Sequence, residues 1–242
     1  MKNRFAFGLI VLLASHQAAN AQSSFGRTPG KFGVSSIGTA QYTIPIWTPP
    51  GPKGIQPNLS LSYDSSAGIG SLGVGWFVSG LGAVTRCNKT CAQDTTPAAV
   101  ALVVSDSYCL NGKRLRLTSG TYGTDSSTYQ TEIADFSNIT AHGAAGSGPA
   151  YFTVQGRDGN TYQYGFTDTN GNGAGSQVLA TGTAVAWLLS KVIDRAGNNF
   201  VINYTTLTGT AVPANILWTP TSAGAIIRGM LQQENGSLCT VQ

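Results

Sequence analysis

Apolar and polar residues alternate with a period of two along most of this chain, and glycine or Asn/Asp–Gly pairs interrupt the alternation every few residues. That is the pattern of half-buried β-strands joined by tight turns. Leu59-Ser60-Leu61-Ser62-Tyr63 alternates cleanly, and so does Arg114-Leu115-Arg116-Leu117. The second run follows Asn111-Gly112, a pair suited to a type I′ turn because both residues tolerate positive φ. Tyr151-Phe152-Thr153-Val154 and Thr161-Tyr162-Gln163-Tyr164 flank Gly156-Arg157-Asp158-Gly159 and predict a hairpin. A longer strand is expected over 185–192 around Trp187. It turns through Asp194-Arg195-Ala196-Gly197-Asn198 into Phe200-Val201-Ile202-Asn203-Tyr204, a second hairpin.

Gly- and Ser-rich stretches at 64–75, 119–128, 143–148 and 170–176 read as loops. Helical periodicity is nearly absent. The exception is 223–231, where a short helix fits, and from Gln232 onward no strand pattern is visible. The fold class expected is all-β, an antiparallel meander of hairpins forming twisted sheets, whose open edges need cover from more chain or from a partner.

The N-terminus changes the compartment. Met1-Lys2-Asn3-Arg4 is a short basic region, residues 5–14 are apolar, and Ala19-Asn20-Ala21 has the small-x-small form of a signal-peptidase site. Residues 1–21 are therefore expected to be a Sec-type signal peptide, and the product to be secreted. The apolar run is too short to span a bilayer core of roughly 30 Å, and no later stretch is apolar enough for a membrane span. Without Lys2 and Arg4 the 14 basic side chains fall to 12, against 10 acidic ones. A near-neutral balance gives no support for nucleic acid or an anionic membrane as partner.

Cys87, Cys91, Cys109 and Cys239 remain. In an oxidising compartment pairing is the default, and four cysteines permit three connectivities that sequence does not resolve. Cys87–Cys109 is the bridge favoured here. It closes a loop of about twenty residues and would contribute roughly 3 kcal/mol in the chain-entropy model. The Cys87-x3-Cys91 spacing also admits a zinc site, but no histidine stands nearby and Cys109 lies in an expected strand.

Further motifs resemble a family. They include Phe32-Gly33-Val34-Ser35, Ala40-Gln41-Tyr42-Thr43-Ile44-Pro45-Ile46, Pro49-Pro50-Gly51 and Gln56-Pro57-Asn58-Leu59-Ser60-Leu61-Ser62-Tyr63. Then come Gly68-Ile69-Gly70-Ser71-Leu72-Gly73-Val74-Gly75-Trp76, Thr85-Arg86-Cys87, and Cys109-Leu110-Asn111-Gly112-Lys113-Arg114-Leu115, with Asn111 where the family usually has Asp. Thr131-Glu132-Ile133, Gly148-Pro149-Ala150-Tyr151-Phe152 and Asp194-Arg195-Ala196-Gly197-Asn198 complete the series. In this order they resemble the SpvB-type N-terminal module of bacterial insecticidal toxin complex B components and RHS-associated virulence proteins, over roughly residues 26–206.

The resemblance implies a structural role, contributing sheet to the wall of a hollow toxin shell that encloses a toxic polypeptide. Further shell chain or other toxin complex components would be its partners. The organisation expected is residues 1–21 signal peptide, 22–206 SpvB-like β module and 207–242 a divergent tail. The propeller repeats and ADP-ribosylating domain of family members have no counterpart in this sequence.

Candidate chemistry is sparse. Gly68-x-Gly70-x-x-Gly73 matches a dinucleotide fingerprint in letters only, because Val74-Gly75-Trp76-Phe77 continues as strand and turn rather than opening a helix. It reads instead as a close backbone crossing with Trp76 buried beside it. Asp168-x-Asn170-x-Asn172-Gly173 begins like a calcium loop, but Leu179 stands where the bidentate glutamate belongs, leaving a polar turn.

His142 sits in an expected loop with no acid beside it in sequence, so no Ser/His/Asp device is expected. The two glutamates, Glu132 and Glu234, are too far apart for the Glu-x-Glu pair of ADP-ribosyl transfer. Glu132 with Asp135, or Asp158 with Asp194, are pairs any β protein could offer a glycosidase reading. Tyr and Trp are scattered along strands, with core packing as their expected role. The chain is thus expected to be no enzyme, with no catalytic, cofactor-binding or metal residues and no cofactor. A secreted module binding glycans or a host surface is the alternative.

Overall fold

A computed structural model describes residues 29–70, 72–207, 210–219, 227–229, 233–234 and 237–238. The expected signal peptide and Cys239 lie outside them. In chain order the strands are β1 (Lys31–Val34), β2 (Ala40–Ile46), β3 (Leu59–Asp64), β4 (Ile69–Gly70), β5 (Gly73–Val74), β6 (Trp76–Ser79), β7 (Ala83–Cys87), β8 (Ser107–Leu110), β9 (Lys113–Ser119) and β10 (Thr128–Thr131). They continue as β11 (Asn138–His142), β12 (Tyr151–Gln155), β13 (Thr161–Tyr164), β14 (Gln177–Ala180), β15 (Thr183–Ile193), β16 (Asn199–Leu207), β17 (Thr210–Thr219), β18 (Ile227–Gly229), β19 (Gln233–Glu234) and β20 (Ser237–Leu238). A single turn of α-helix, α1 (Cys91–Asp94), starts at Thr90, whose hydroxyl accepts from the Gln93 N–H.

Two sheets carry the fold. The smaller has the order β1-β2-β3-β6. The larger meanders from β7 through β8, β9, β10, β11 and β12 to β13. It closes because β15 is long enough for two neighbours on each side. Its first half pairs with β7 and β14, and its second half with β13 and β16. The ring from β7 to β13 and back through β15 is therefore barrel-like, and β16, β17 and β18 extend it as an open flap.

The tight turns follow their residues. Asn111 and Gly112 take φ of 49° and 80°, the type I′ geometry that matches strand twist. Asn111 also accepts from the Ala83 N–H at 2.9 Å, tying this hairpin to β7.

Aromatic rings fill the barrel. Trp187, Tyr108, Tyr129 and Phe152 are fully buried. Tyr108 and Phe152 meet Trp187 edge-on, at 5.6 Å and 5.0 Å between centroids, the arrangement ring quadrupoles favour. The indole N–H of Trp187 donates to the Pro149 carbonyl at 3.1 Å. Arg86 is buried with them. Its guanidinium donates to the carbonyls of Ala184, Val103 and Ser147 and to the Asp106 carboxylate. A buried cation survives here because its donors are met and its charge is paired.

Outside the barrel, the Cys87 and Cys109 sulfurs are bonded, with α-carbons 6.0 Å apart. Arg114, paired with Cys109 across β8 and β9, holds α1 through a two-pronged contact with Asp94. Cys91 is exposed with a free thiol.

Residues 227–229 are not helical but a strand paired with β17, and two-residue strands follow at 233–234 and 237–238. The register with β17 decides for strand where the short apolar run was ambiguous. The sheet also continues past residue 206. β17 pairs with β16 along its length, and Ile216 and Trp218 join Ile55 and Leu59 in one core cluster. Trp76 is half-buried, stacked obliquely on Tyr63 at 5.4 Å. The buried member of that stretch is Gly75, where a Cβ would stand only 2.5 Å from the Tyr63 ring.

Candidate assembly surface

The smaller sheet separates its two faces by chemistry. Directly paired residues of antiparallel strands project to the same face. The register pairs Phe32 with Tyr42, Tyr42 with Tyr63, and Tyr63 with Trp76. Four aromatic residues thus form one row across all four strands. Two positions along lies a second row, Ile44, Leu61 and Val78. The opposite face carries Gln41, Thr43, Ser60, Ser62 and Ser79, with Pro45 and the partly exposed Phe77 among them, and the hydroxyls of Ser60, Ser62 and Ser79 hydrogen-bond one another. The aromatic residues are therefore not scattered, as expected from sequence, but aligned. Alternation within each strand was visible. The register that joins the strands was not.

The apolar face is incompletely covered. Phe32 is 72% exposed and Val34 64%, while Tyr42, Tyr63 and Trp76 are half-buried. Trp47, Ile69 and Val74 are exposed as well. Large apolar side chains grouped in this way mark a surface for contact with other polypeptide. β1 is the sheet's edge strand, since among the described residues it pairs only with β2.

A second feature is a cleft of about 490 Å³ lined by Ala150, Tyr151, Gly165, Phe166, Gln177 and Leu179, among others. Tyr151 meets Phe166 edge-on at 4.9 Å and stacks on His142 at 4.6 Å.

The polar candidates are occupied by their own neighbourhoods. His142 closes β11 rather than lying in a loop, and its Nε2 is 2.8 Å from the Thr153 hydroxyl. Burial, the larger influence, lowers its pKa against the pull of Asp125, which sequence distance had hidden. Glu132 accepts from Arg116 and Gln93, and these bonds lower its pKa. Asp135 accepts from Ser137 and Lys113. Asp158 binds Asn160 and Tyr162, and Asp194 binds Ala196 and Asn198.

The loop from Asp168 folds around its own carboxylate, which accepts from the backbone of Asn170 and Asn172 at 2.8 and 2.9 Å. Gly70 and Gly73 pair within the β4–β5 hairpin, and β6 follows, so among the described residues no helix opens from the glycine motif. Among the described residues, no group of three or more His, Cys, Asp or Glu could hold a metal ion.

A family model described as Salmonella virulence plasmid 65kDa B protein, SpvB, matches residues 34–221. The chain belongs to the SpvB family. That span includes β17, so the SpvB match extends past residue 206, where the sheet also continues.

Among solved structures, this SpvB family member is similar to a TcdB2-TccC3 toxin chain at a TM-score of 0.60 and 15% identity. The likeness covers 79% of this chain and 10% of that one. A Tc holotoxin pore from Photorhabdus luminescens matches equally, at 0.60 and 16%, covering 88% and 11%. The N-terminal domain of the effector SpvB from Salmonella typhimurium strain LT2 matches at 0.52 and 16%, covering 78% and 71%. The chain thus spans about a tenth of the length of the toxin chains it resembles. At these identities the likeness is one of fold. No curated protein matches the sequence significantly. Among the described residues, no helix is long and apolar enough to cross a membrane.

Proposed function

We propose that this SpvB-family chain is a secreted, non-enzymatic wall module of a toxin assembly, acting by packing the open face of its smaller sheet against further shell chain. The observation that carries this reading is the aromatic row Phe32, Tyr42, Tyr63 and Trp76, left partly bare on a sheet whose other face is mostly polar. Burying apolar surface contributes about 25 cal/mol per Å², so covering such a face favours association. The fold shared with TcdB2-TccC3 chains agrees with this role. The candidate acids and His142 are each engaged in structural hydrogen bonds, which supports a scaffold rather than a reactive centre.

The test is to purify the exported chain and measure binding of an environment-sensitive apolar dye, with Phe32→Ser/Val34→Ser as comparison. The wild type should bind dye in its folded state, and the double variant should lose most of the signal without losing its cooperative melt. A folded chain that binds no dye and associates with no toxin shell chain would overturn the proposal. Turnover of generic glycosidase or esterase substrates that Glu132→Gln abolishes would overturn its non-enzymatic part.

The cleft beside Tyr151 and Phe166 favours a second reading, a secreted module that binds glycans or a host surface. Aromatic walls suit the apolar faces of sugar rings, and the cleft volume falls in the usual range for small ligands. A glycan array without signal above background would remove it.

A further inference from the structure

We infer that the outer edge of β1 joins two copies of this chain by antiparallel strand pairing about a two-fold axis at Gly33. The Ser35 N–H donates to the Thr39 carbonyl at 2.9 Å. Hydrogen-bonded pairs alternate along an antiparallel ladder, so Gly33 and Lys31 also turn their backbone groups toward β2. The N–H and C=O groups of Phe32 and Val34 consequently point away from the sheet, along an edge that among the described residues pairs with nothing.

That edge is self-complementary. Pairing Phe32 with Val34 of the partner copy satisfies about four backbone groups on each copy, and the two-fold operation repeats the contact. Each match sets an aromatic ring beside a β-branched side chain, a favourable cross-strand pair. Both lie on the apolar face, so their present exposures of 72% and 64% would fall together. Gly33 meets Gly33 of the partner copy on the axis, and nothing lies within 4 Å of where its Cβ would stand. Lys31 falls opposite Ser35 of the partner copy, which avoids placing like charges face to face. Among the described residues no proline, bulge or covering strand blocks the edge. This inference stands on the β1 register and does not depend on the shell reading.

The test is covalent. In the exported full chain carrying Cys91→Ser and Cys239→Ser, Gly33→Cys should form a disulfide-linked dimer with oxidised glutathione. Non-hydrogen-bonded partners have α-carbons about 4.5 Å apart, within reach of a disulfide. Lys31→Cys should give at least tenfold less dimer, because the register places the two copies of that position about 14 Å apart. By sedimentation, the unmodified chain should approach twice its monomer mass as concentration rises about a hundredfold, and Phe32→Asp should abolish this while keeping a cooperative melt.

A monomer throughout with no Gly33→Cys dimer would overturn the inference. So would equal cross-linking at Lys31→Cys, which would mean random collision. If the chain stays monomeric and amide exchange at Phe32 and Val34 slows only when a toxin shell chain is added, the edge belongs to a foreign strand and self-pairing is wrong. That last outcome would leave the shell reading intact.

Discussion

Arg86 and Tyr108 stand opposite each other on β7 and β8, with the guanidinium carbon 5.6 Å from the ring centroid. Trp187 lies beneath the same cation at 5.8 Å. The pairing sets a charge against the aromatic filling of the barrel, and Asp106 balances it at 3.0 Å with both side chains almost fully buried. Arg86 also links segments remote in sequence, because its carbonyl acceptors belong to Val103, Ser147 and Ala184. One buried cation thus joins β7 to the segments at 103–106, 147 and 184.

Removing only the counter-charge should therefore be costly. Asp106→Ala leaves Arg86 buried and unpaired, and it frees the N–H groups of Ala101 and Val103 that the carboxylate accepts. A loss of about 3–5 kcal/mol is expected, read from the urea midpoint at unchanged slope. Arg86→Met in the Asp106→Ala background should recover part of it, since an apolar chain of similar length needs no partner. Equal stability of wild type and Asp106→Ala would show that the ion pair does not stabilise the barrel.

The Cys87–Cys109 bridge joins positions 22 residues apart and encloses α1, whose Asp94 pairs with Arg114 outside the loop. Cys87→Ser/Cys109→Ser should cost about 3 kcal/mol, chiefly through the freedom returned to the unfolded chain. Thermal melts with and without reductant check this. The double variant should melt at the same temperature in both.

Much of this architecture was legible in sequence because its signals are local. The hairpins at 151–164 and 185–204 follow from period-two alternation around Asp/Gly turns, and the Asn111-Gly112 turn from the two residues that accept positive φ. What escaped depends on register between distant strands. Closure of the barrel requires β15 to meet β7, β13, β14 and β16 at different points along its length, which no local pattern announces. The aromatic row likewise exists only once Phe32, Tyr42, Tyr63 and Trp76 are aligned. His142 reads as a loop residue beside Gly143, whereas it closes β11 directly before that glycine.

Acid should weaken the fold in a defined window. Asp135 is held to about 2 from an ordinary 3.8: burial pushes its pKa up, but hydrogen bonds from Ser137 and Thr131 and the Lys113 contact outweigh it. Asp64 is also held near 2, by Gln41 and Ser66. A carboxylate with a lowered folded pKa stabilises the fold above its unfolded value, and that contribution disappears as pH falls through the folded value. Stability should therefore drop between about pH 4 and pH 2, and Asp135→Asn should make the decline shallower. Unchanged melts across that interval would remove these carboxylates from the stability of the fold.

The alkaline side carries the opposite sign. Burial raises the Tyr108 phenol from 10.0 to about 12 and lifts Tyr122, Tyr164 and Tyr204 as well. A phenol whose folded pKa is raised favours the native state fully below its unfolded value, and that contribution is lost as pH climbs through the folded one. The barrel core should then loosen between about pH 10 and pH 12, because unfolding lets these phenols ionise. Phenolate absorbance should rise in two steps, the exposed tyrosines first and the buried group together with loss of near-ultraviolet circular dichroism. A single step near pH 10 with the dichroism intact would mean that these rings are solvated, contrary to the packing around Trp187.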